Sequence, residues 1–270
     1  DKLWEKVAPL IPERGREKGR KYKRRPGGGR KPMEPRKVFE AIVYVLRTGC
    51  QWKALPKEFG SPSSVHKYFL EWKGEEVFVN LWRRGLAEYD AMEGIAWSWQ
   101  SIDGSIVKAP LALETVGPNP TDRGKNGTKR SLLVDGRGIP LSIIASGANV
   151  HDVKLLNETL DAIIVRRPRT GEMSKQNLCA DKGYVGAPAA EAIRRRNYIP
   201  HVRQRGEEIA AAKSNPQYRP RRWVVERTHS WLNRYRKVLV RYEKTAASYE
   251  GLLELTCALI AFRQTIVICG

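Results

Sequence analysis

The stretch WSWQSIDGSIVKAP, residues 97–110, decides how the chain is read. Polar and apolar side chains alternate into the β-branched pair Ile106 and Val107, which is the period of a strand. Asp103 lies inside this run. A carboxylate there is costly unless it faces a site, and Gly104 beside it leaves room for a substrate backbone to come close. SLLVDGRGIPLSIIAS (131–146) is two apolar runs joined by DGRG, the turn chemistry of a β-hairpin. HDVKLLNETLDAII (151–164) reads as a helix, KQNLCAD (175–181) as a strand, 188–196 as a helix and NYIPHV (197–202) as a last strand. Residues 207–220 are polar and loop-like. Pro220 to Tyr242 reads as one long helix and 246–266 as another. Hairpin, crossover helix, strand–helix–strand and closing helices describe an α/β fold, a mixed sheet flanked by helices.

Upstream the pattern is helical. LWEKVAPLIP (3–12) reads as a short helix stopped by Pro12. Residues 36–48 place Val38, Ile42, Val45 and Leu46 at helical spacing. Ser61 and Ser63 suit the cap of a helix over 63–73, and a third helix spans about 75–90. Helix, short turn, helix on a basic background suits a helix-turn-helix DNA reader, and equally a plain small bundle. The change of character near residue 94 predicts an all-α part, 1–93, and an α/β part, 94–270.

Lys and Arg number 49 against 29 Asp and Glu, a formal charge of +20. So basic a balance points to a polyanionic partner, nucleic acid first. The charge is densest in an arm at 13–35 that holds Arg20, Lys21, Lys23, Arg24, Arg25, Arg30 and Lys31 around a run of glycines. That composition cannot form a core. Its cations release counterions when they neutralise phosphates, so an arm lying along DNA is expected rather than a solubilising tail. The most apolar stretch, Gly251–Gly270, is interrupted by Glu254, Arg263 and Gln264 and is expected as a buried helix, not a membrane span. No signal peptide is read at the start. The four scattered cysteines form no CxxC and are expected as small buried residues of a reducing cytoplasm.

Phosphodiester chemistry on metal ions needs two ions roughly 3.5–4 Å apart that stabilise the attacking and leaving oxygens. Mg²⁺ takes oxygen ligands, so a few carboxylates from different elements suffice. Asp103 is one candidate. Asp181 is a second, ending the strand LCA before the sharp turn Lys182-Gly183-Tyr184. Glu226 is the third, in RRWVVERTHSWLNRYRKVLV. On a helix, Val224, Thr228, Trp231, Tyr235 and Val238 share the side that packs on the sheet, while Arg222, Glu226, Ser230, Asn233 and Lys237 share another. Singly, each acid reads as well as a turn Asp or a solvent Glu paired with Arg222. Together they form the arrangement of ribonuclease-H-like metal nucleases. His151 and Asp152 follow a strand. Asp152 suits an N-cap better than a ligand, and His151, Asp152 and Tyr184 are candidates for lining the site. Trp223, Trp231 and Tyr235 are expected in the core, although a Trp near the site suits stacking on an extruded base.

SIDGS (101–105), ADKGYVG (180–186) and VVERTHSWL (224–232), with GGGRKPMEPRKVFEAIVYVLRTGCQWKALPKEFGSPSSVHKYFLEW and GANVHDVKLL, resemble the DDE transposases of bacterial insertion sequences, the branch called insertion sequence family five. The resemblance covers nearly the whole chain. It implies a ribonuclease-H-like catalytic domain in which Asp103, Asp181 and Glu226 are catalytic and hold two Mg²⁺ ions, with Mn²⁺ as a substitute. It further implies binding of double-stranded DNA at terminal inverted repeats, nicking, 3′-OH strand transfer into target DNA, a homodimer on paired ends, and a location on the bacterial nucleoid. Ser63, His66, Lys67, Arg222, Arg234 and Lys237 join the arm as expected DNA-binding residues. The broader superfamily carries Tyr, Arg, Glu and a basic residue at fixed helical spacing. Here the Tyr position holds Arg219, beside Tyr218, and the basic position holds Asn233, with Arg234 beside it and Lys237 a turn on. A domesticated transposase that only binds DNA, and a metal-dependent endonuclease without strand transfer, are the competing readings.

Overall fold

The computed structural model describes residues 1–13, 21, 31–169, 175–202, 213–214 and 221–269. The arm residues Arg20, Lys23, Arg24, Arg25 and Arg30, and most of the stretch 207–220 with Tyr218 and Arg219, lie outside the described residues.

Six strands form one sheet: β1 (Trp99–Lys108), β2 (Gly117–Pro118), β3 (Asn126–Asp135), β4 (Pro140–Gly147), β5 (Gln176–Ala180) and β6 (Tyr198–Val202). β3 pairs antiparallel with β1 on one side and with β4 on the other, and the two-residue β2 pairs with the start of β3. β5 adds parallel to β1, and β6 parallel to β5. The order β4-β3-β1-β5-β6 is that of a ribonuclease-H-like sheet, as the sequence pattern implied. Parallel neighbours need crossovers. These include α5 (Asp152–Asp161), between β4 and β5, and α6 (Ala187–Arg195), between β5 and β6. β3 is buried at every position after its first, which is why its second half reads as a continuous apolar run.

The DGRG turn closes the β3–β4 hairpin. Asp135 accepts the N–H groups of Ala96, Arg137 and Ile139 at 3.0, 2.9 and 2.8 Å. Gly138 has φ +86°, and a Cβ there would lie 2.9 Å from Thr228 Oγ1.

The upstream helices are α1 (Lys2–Val7), α2 (Pro35–Thr48), α3 (Pro62–Gly74) and α4 (Val77–Glu93), close to their sequence limits. The long α9 (Ala246–Cys269) packs on them and on the sheet. Gly85 of α4 lets Ala261 approach, Lys73 of α3 pairs with Glu254 at 2.6 Å, and Trp82 Nε1 donates to Pro140 O at 3.1 Å. One apolar core therefore runs from Val38 and Phe69 through Leu132 and Val225 to Leu253, across the change of character at residue 94. Among the described residues no helix is long and apolar enough to cross a membrane.

One expected element is divided. The helix read through Tyr242 is α7 (Trp223–Asn233) followed by the single turn α8 (Arg236–Leu239), because Tyr235 takes φ −90° and ψ 95°. Val238 O instead accepts from Arg130 Nη1 at 3.4 Å and Tyr249 Oη at 3.3 Å. The break turns Lys237 inward. Gly49 makes it possible: at φ +73° it ends α2, and a Cβ there would stand 2.8 Å from Arg236 Cβ.

Candidate active site

In the parallel register of β1 and β5, Ile102 pairs with Ala180. Asp103 and Asp181 are each the next residue along, so two acids far apart in sequence leave adjacent strands side by side. Asp181 is fixed by the turn after it: it caps residues Lys182–Tyr184, and Gly183 N–H donates to its Oδ1 at 2.5 Å. Glu226 lies in the first turn of α7. That helix packs on the sheet through Val224, Val225, Thr228, His229 and Leu232, and is tied to it by Thr228 Oγ1 donating to Gly138 O (2.7 Å) and Ser101 Oγ donating to Arg221 O (3.2 Å). The carboxylate of Glu226 is exposed.

Asp103 feels the charge of both other acids. Burial, then the charge of Asp181, then those of Asp152 and Glu226, push the Asp103 carboxyl up to about 7, against the pull of the Gly104 N–H. Asp152 thus weighs on Asp103 more than Glu226 does. Asp152 is not the N-cap expected of it: His151 holds that position, exposed and without a side-chain cap, and Asp152 is the first residue of α5. A Cβ on Gly104 would collide with Asp152 Oδ1. A Cβ on Gly183 would meet both Asp181 Oδ1 (2.8 Å) and Asp152 Oδ2 (3.5 Å). The room left by Gly104 is taken by Asp152, not kept for an incoming substrate. Tyr184 is buried beside the same spot; burial, then Asp152, Asp103 and Asp181, raise its phenol well above the usual range.

Three residues that sequence reading passed over complete the surroundings. His229, one turn beyond Glu226, is buried and places Nε2 3.8 Å from Asp103 Oδ2. Burial and Arg130 hold its imidazole down to about 3, so it is neutral. Lys129 sits 3.0 Å from Asp152 Oδ1 and donates to Val150 O at 2.7 Å. Arg130, fully buried, donates to Asn233 Oδ1 at 2.9 Å. Asn233, standing where the superfamily has a basic residue, is therefore matched to an arginine from β3. The spacing of His229 from Glu226, one helical turn, was the available signal.

The expected DNA-binding residues divide. Lys21, Lys31, Ser63, Lys67 and Arg234 are exposed. Arg234 lines a cavity of about 480 Å³ with Arg47, Arg263, Trp231 and Tyr235. His66 is half-buried and stacks on Trp52 with centroids 4.7 Å apart. Arg222 is half-buried at the N-cap of α7. Lys237 is a correction. It is 3 % exposed, pairs with Glu243 at 3.2 Å and donates to Cys50 O at 3.2 Å, so it is not presented to a phosphate. Trp223, expected in the core, is instead 52 % exposed, with the Arg227 guanidinium 4.7 Å from its ring centroid.

Asp103, Asp181 and Asp152 offer carboxylate oxygens, the donors that suit a hard divalent cation, and a carboxyl pushed up to about 7 by burial and then by its neighbours' charges marks negative charge in want of a counterion. The residues fit such an ion in chemistry. As they stand, no three Asp, Glu, His or Cys among the described residues are drawn together at ligand spacing.

Comparison with known proteins agrees with this chemistry. Residues 1–82 match the family model described as "Putative transposase of IS4/5 family", and residues 100–261 match "Transposase DDE domain". The chain is 37 % identical over 148 residues to "Putative transposase for insertion sequence element IS402" of Burkholderia cepacia, covering 54 % of this chain and 68 % of that protein. It is 31 % identical over 122 residues to a 16.2 kDa insertion element IS402 protein of the same organism, covering 44 % and 79 %. Among solved structures, the catalytic domain of Mos1 mariner transposase overlaps 70 % of this chain and 92 % of its own at 10 % identity and a TM-score of 0.30. The two family models, which together take in both the helical part and the sheet with its acids, place the chain among the DDE transposases of the IS4/5 family.

Proposed function

We propose that this DNA transposase binds the terminal inverted repeats of its element, nicks them, and joins the freed 3′-OH to target DNA, using Asp103, Asp181 and Glu226 to hold two Mg²⁺ ions, for which Mn²⁺ substitutes. The observation that carries this reading is the convergence of charge on Asp103, whose carboxyl is driven to about 7 by burial, by Asp181 beside it on the next strand, and by Asp152 and Glu226. Bound divalent ions would stabilise the attacking and leaving oxygens of the phosphodiester. The chain's own part is placement. β1 and β5 set the two aspartates side by side, and Glu226 stands in the first turn of α7, the helix packed on the same sheet. Residues 1–93 form the end-binding part and 94–270 the catalytic part. Exposed Lys21, Lys31, Ser63, Lys67 and Arg234, with the arm, meet the phosphates, and His66 and Arg222 border them. The active form is a homodimer that holds two ends together on the nucleoid.

Incubation of a labelled inverted-repeat end with Mg²⁺, wild type against Asp181→Ala, is the test. Nicking by the wild type alone supports the reading; binding without nicking would reduce the chain to an end-binding protein. Joining of a pre-cut end to plasmid DNA separates a transposase from an endonuclease that never joins.

A further inference from the structure

We propose that Asp152 is a fourth carboxylate of the metal centre, held in place by Lys129; the inference rests on the three-acid reading and extends it. The sheet and its turns are built around this side chain. Gly104, next to Asp103, lacks a Cβ where Asp152 Oδ1 lies, and Asp152 Oδ2 reaches van der Waals contact with Gly183, two residues past Asp181. Its Oδ2 and Asp181 Oδ1 fall within 3.5 Å of one point beside Gly183.

Asp152 does nothing for its helix that would account for this. It is not the N-cap of α5, and its buried Oδ1 is held by the Lys129 ammonium at 3.0 Å rather than by the helix. A second observation points to a ligand at the same place. His229 is 92 % buried at its side chain, and its Nε2 faces Asp103 Oδ2 at 3.8 Å, too far for a hydrogen bond to the carboxylate. A buried polar ring that stops short of a buried carboxylate is costly unless the site is completed by something further.

Lys129 is the positioning residue. It rises from β3, 8 % exposed, to meet Asp152 Oδ1 at 3.0 Å, with Val150 O as its second partner at 2.7 Å. Both partners belong to the β4–α5 junction, so this one ammonium fixes the approach of α5 to the sheet and the angle at which the carboxylate enters between the two glycines.

The test is a calorimetric titration of Mn²⁺ into the full chain at pH 8, with wild type, Asp181→Asn, Asp152→Asn and the double variant Asp152→Asn/Lys129→Met. The double variant removes the buried ammonium together with its partner, so it answers the question if the single variant fails to fold. Binding to an inverted-repeat end in EDTA reports that each variant is intact. The expected result is that Asp152→Asn and the double variant weaken Mn²⁺ roughly tenfold or more, or lose one ion, while still binding the DNA end. Wild-type Mn²⁺ affinity and stoichiometry in both, with Asp181→Asn impaired, would overturn the role of Asp152 and leave the three-acid reading standing. An Asp181→Asn protein that titrates like the wild type would overturn both.

Discussion

His229 Nε2 faces Asp103 Oδ2 at 3.8 Å, and the imidazole is neutral because burial and Arg130 hold its pKa down to about 3. This imidazole therefore brings Asp103 no countercharge. With burial, then Asp181, Asp152 and Glu226, all disfavouring its charge, the Asp103 carboxyl stays protonated up to about 7. Between about pH 4 and 7 the folded protein holds a proton that the unfolded chain has lost, so its stability falls as pH rises through that window. The full cost above pH 7 is on the order of 4 kcal/mol. Urea unfolding in EDTA from pH 4 to 8 should show the wild type losing stability relative to Asp103→Asn. Parallel pH profiles for the two proteins would refute the assignment.

Glu226 behaves differently because it is exposed at the start of α7. Glu226→Gln should change unfolding stability by no more than about 0.5 kcal/mol. Nicking of an inverted-repeat end should nevertheless fall by about 100-fold or more, the scale set by losing a precisely placed catalytic group. Full cutting activity in this variant would remove Glu226 from the triad and leave Asp152 as the third acid.

Asp103 and Asp181 stand out in the sequence because each is an acid inside or ending an otherwise apolar strand, and the fold does set the two strand positions side by side. The strands themselves were readable, whereas their order in the sheet came only with the fold. Asp152 was read as a cap or a site-lining residue, because an Asp at the start of a helix reads as a cap; its closeness to Gly104 and Gly183 shows only in the fold. Lys237 misled for a different reason. A helix drawn through to Tyr242 puts it on the polar stripe with Glu226, whereas the break at Tyr235 turns it towards Glu243, a partner beyond the reach of helical spacing.

That difference predicts how DNA affinity depends on salt. Each phosphate neutralised by a cation contributes about 0.9 to the slope of log K against log salt. Arg234 is exposed beside Arg47 and Arg263, so Arg234→Ala should reduce the slope by roughly that amount. Replacing Lys237 and Glu243 together by Met and Leu should leave the slope unchanged, since neither side chain reaches solvent. Fluorescence anisotropy of a labelled end over a range of KCl concentrations reads both. A lower slope in the Lys237 variant would mean that the buried cation is exposed when DNA binds.

The Lys237–Glu243 pair also fixes the expected cost of breaking it. The two side chains are 3 % and 4 % exposed and stand 3.2 Å apart. Lys237 also holds Cys50 O, and so ties α8 to the end of α2. Removing one partner strands the other charge in the core, which costs about 3–5 kcal/mol, whereas replacing both with apolar side chains of similar volume is often neutral. Lys237→Met alone should therefore lower the urea midpoint sharply, and Lys237→Met/Glu243→Leu should recover most of the loss. The recovery is the informative half. A double variant as unstable as the single one would mean that the hydrogen bond to Cys50 O, rather than the ion pair, secures the turn at Tyr235.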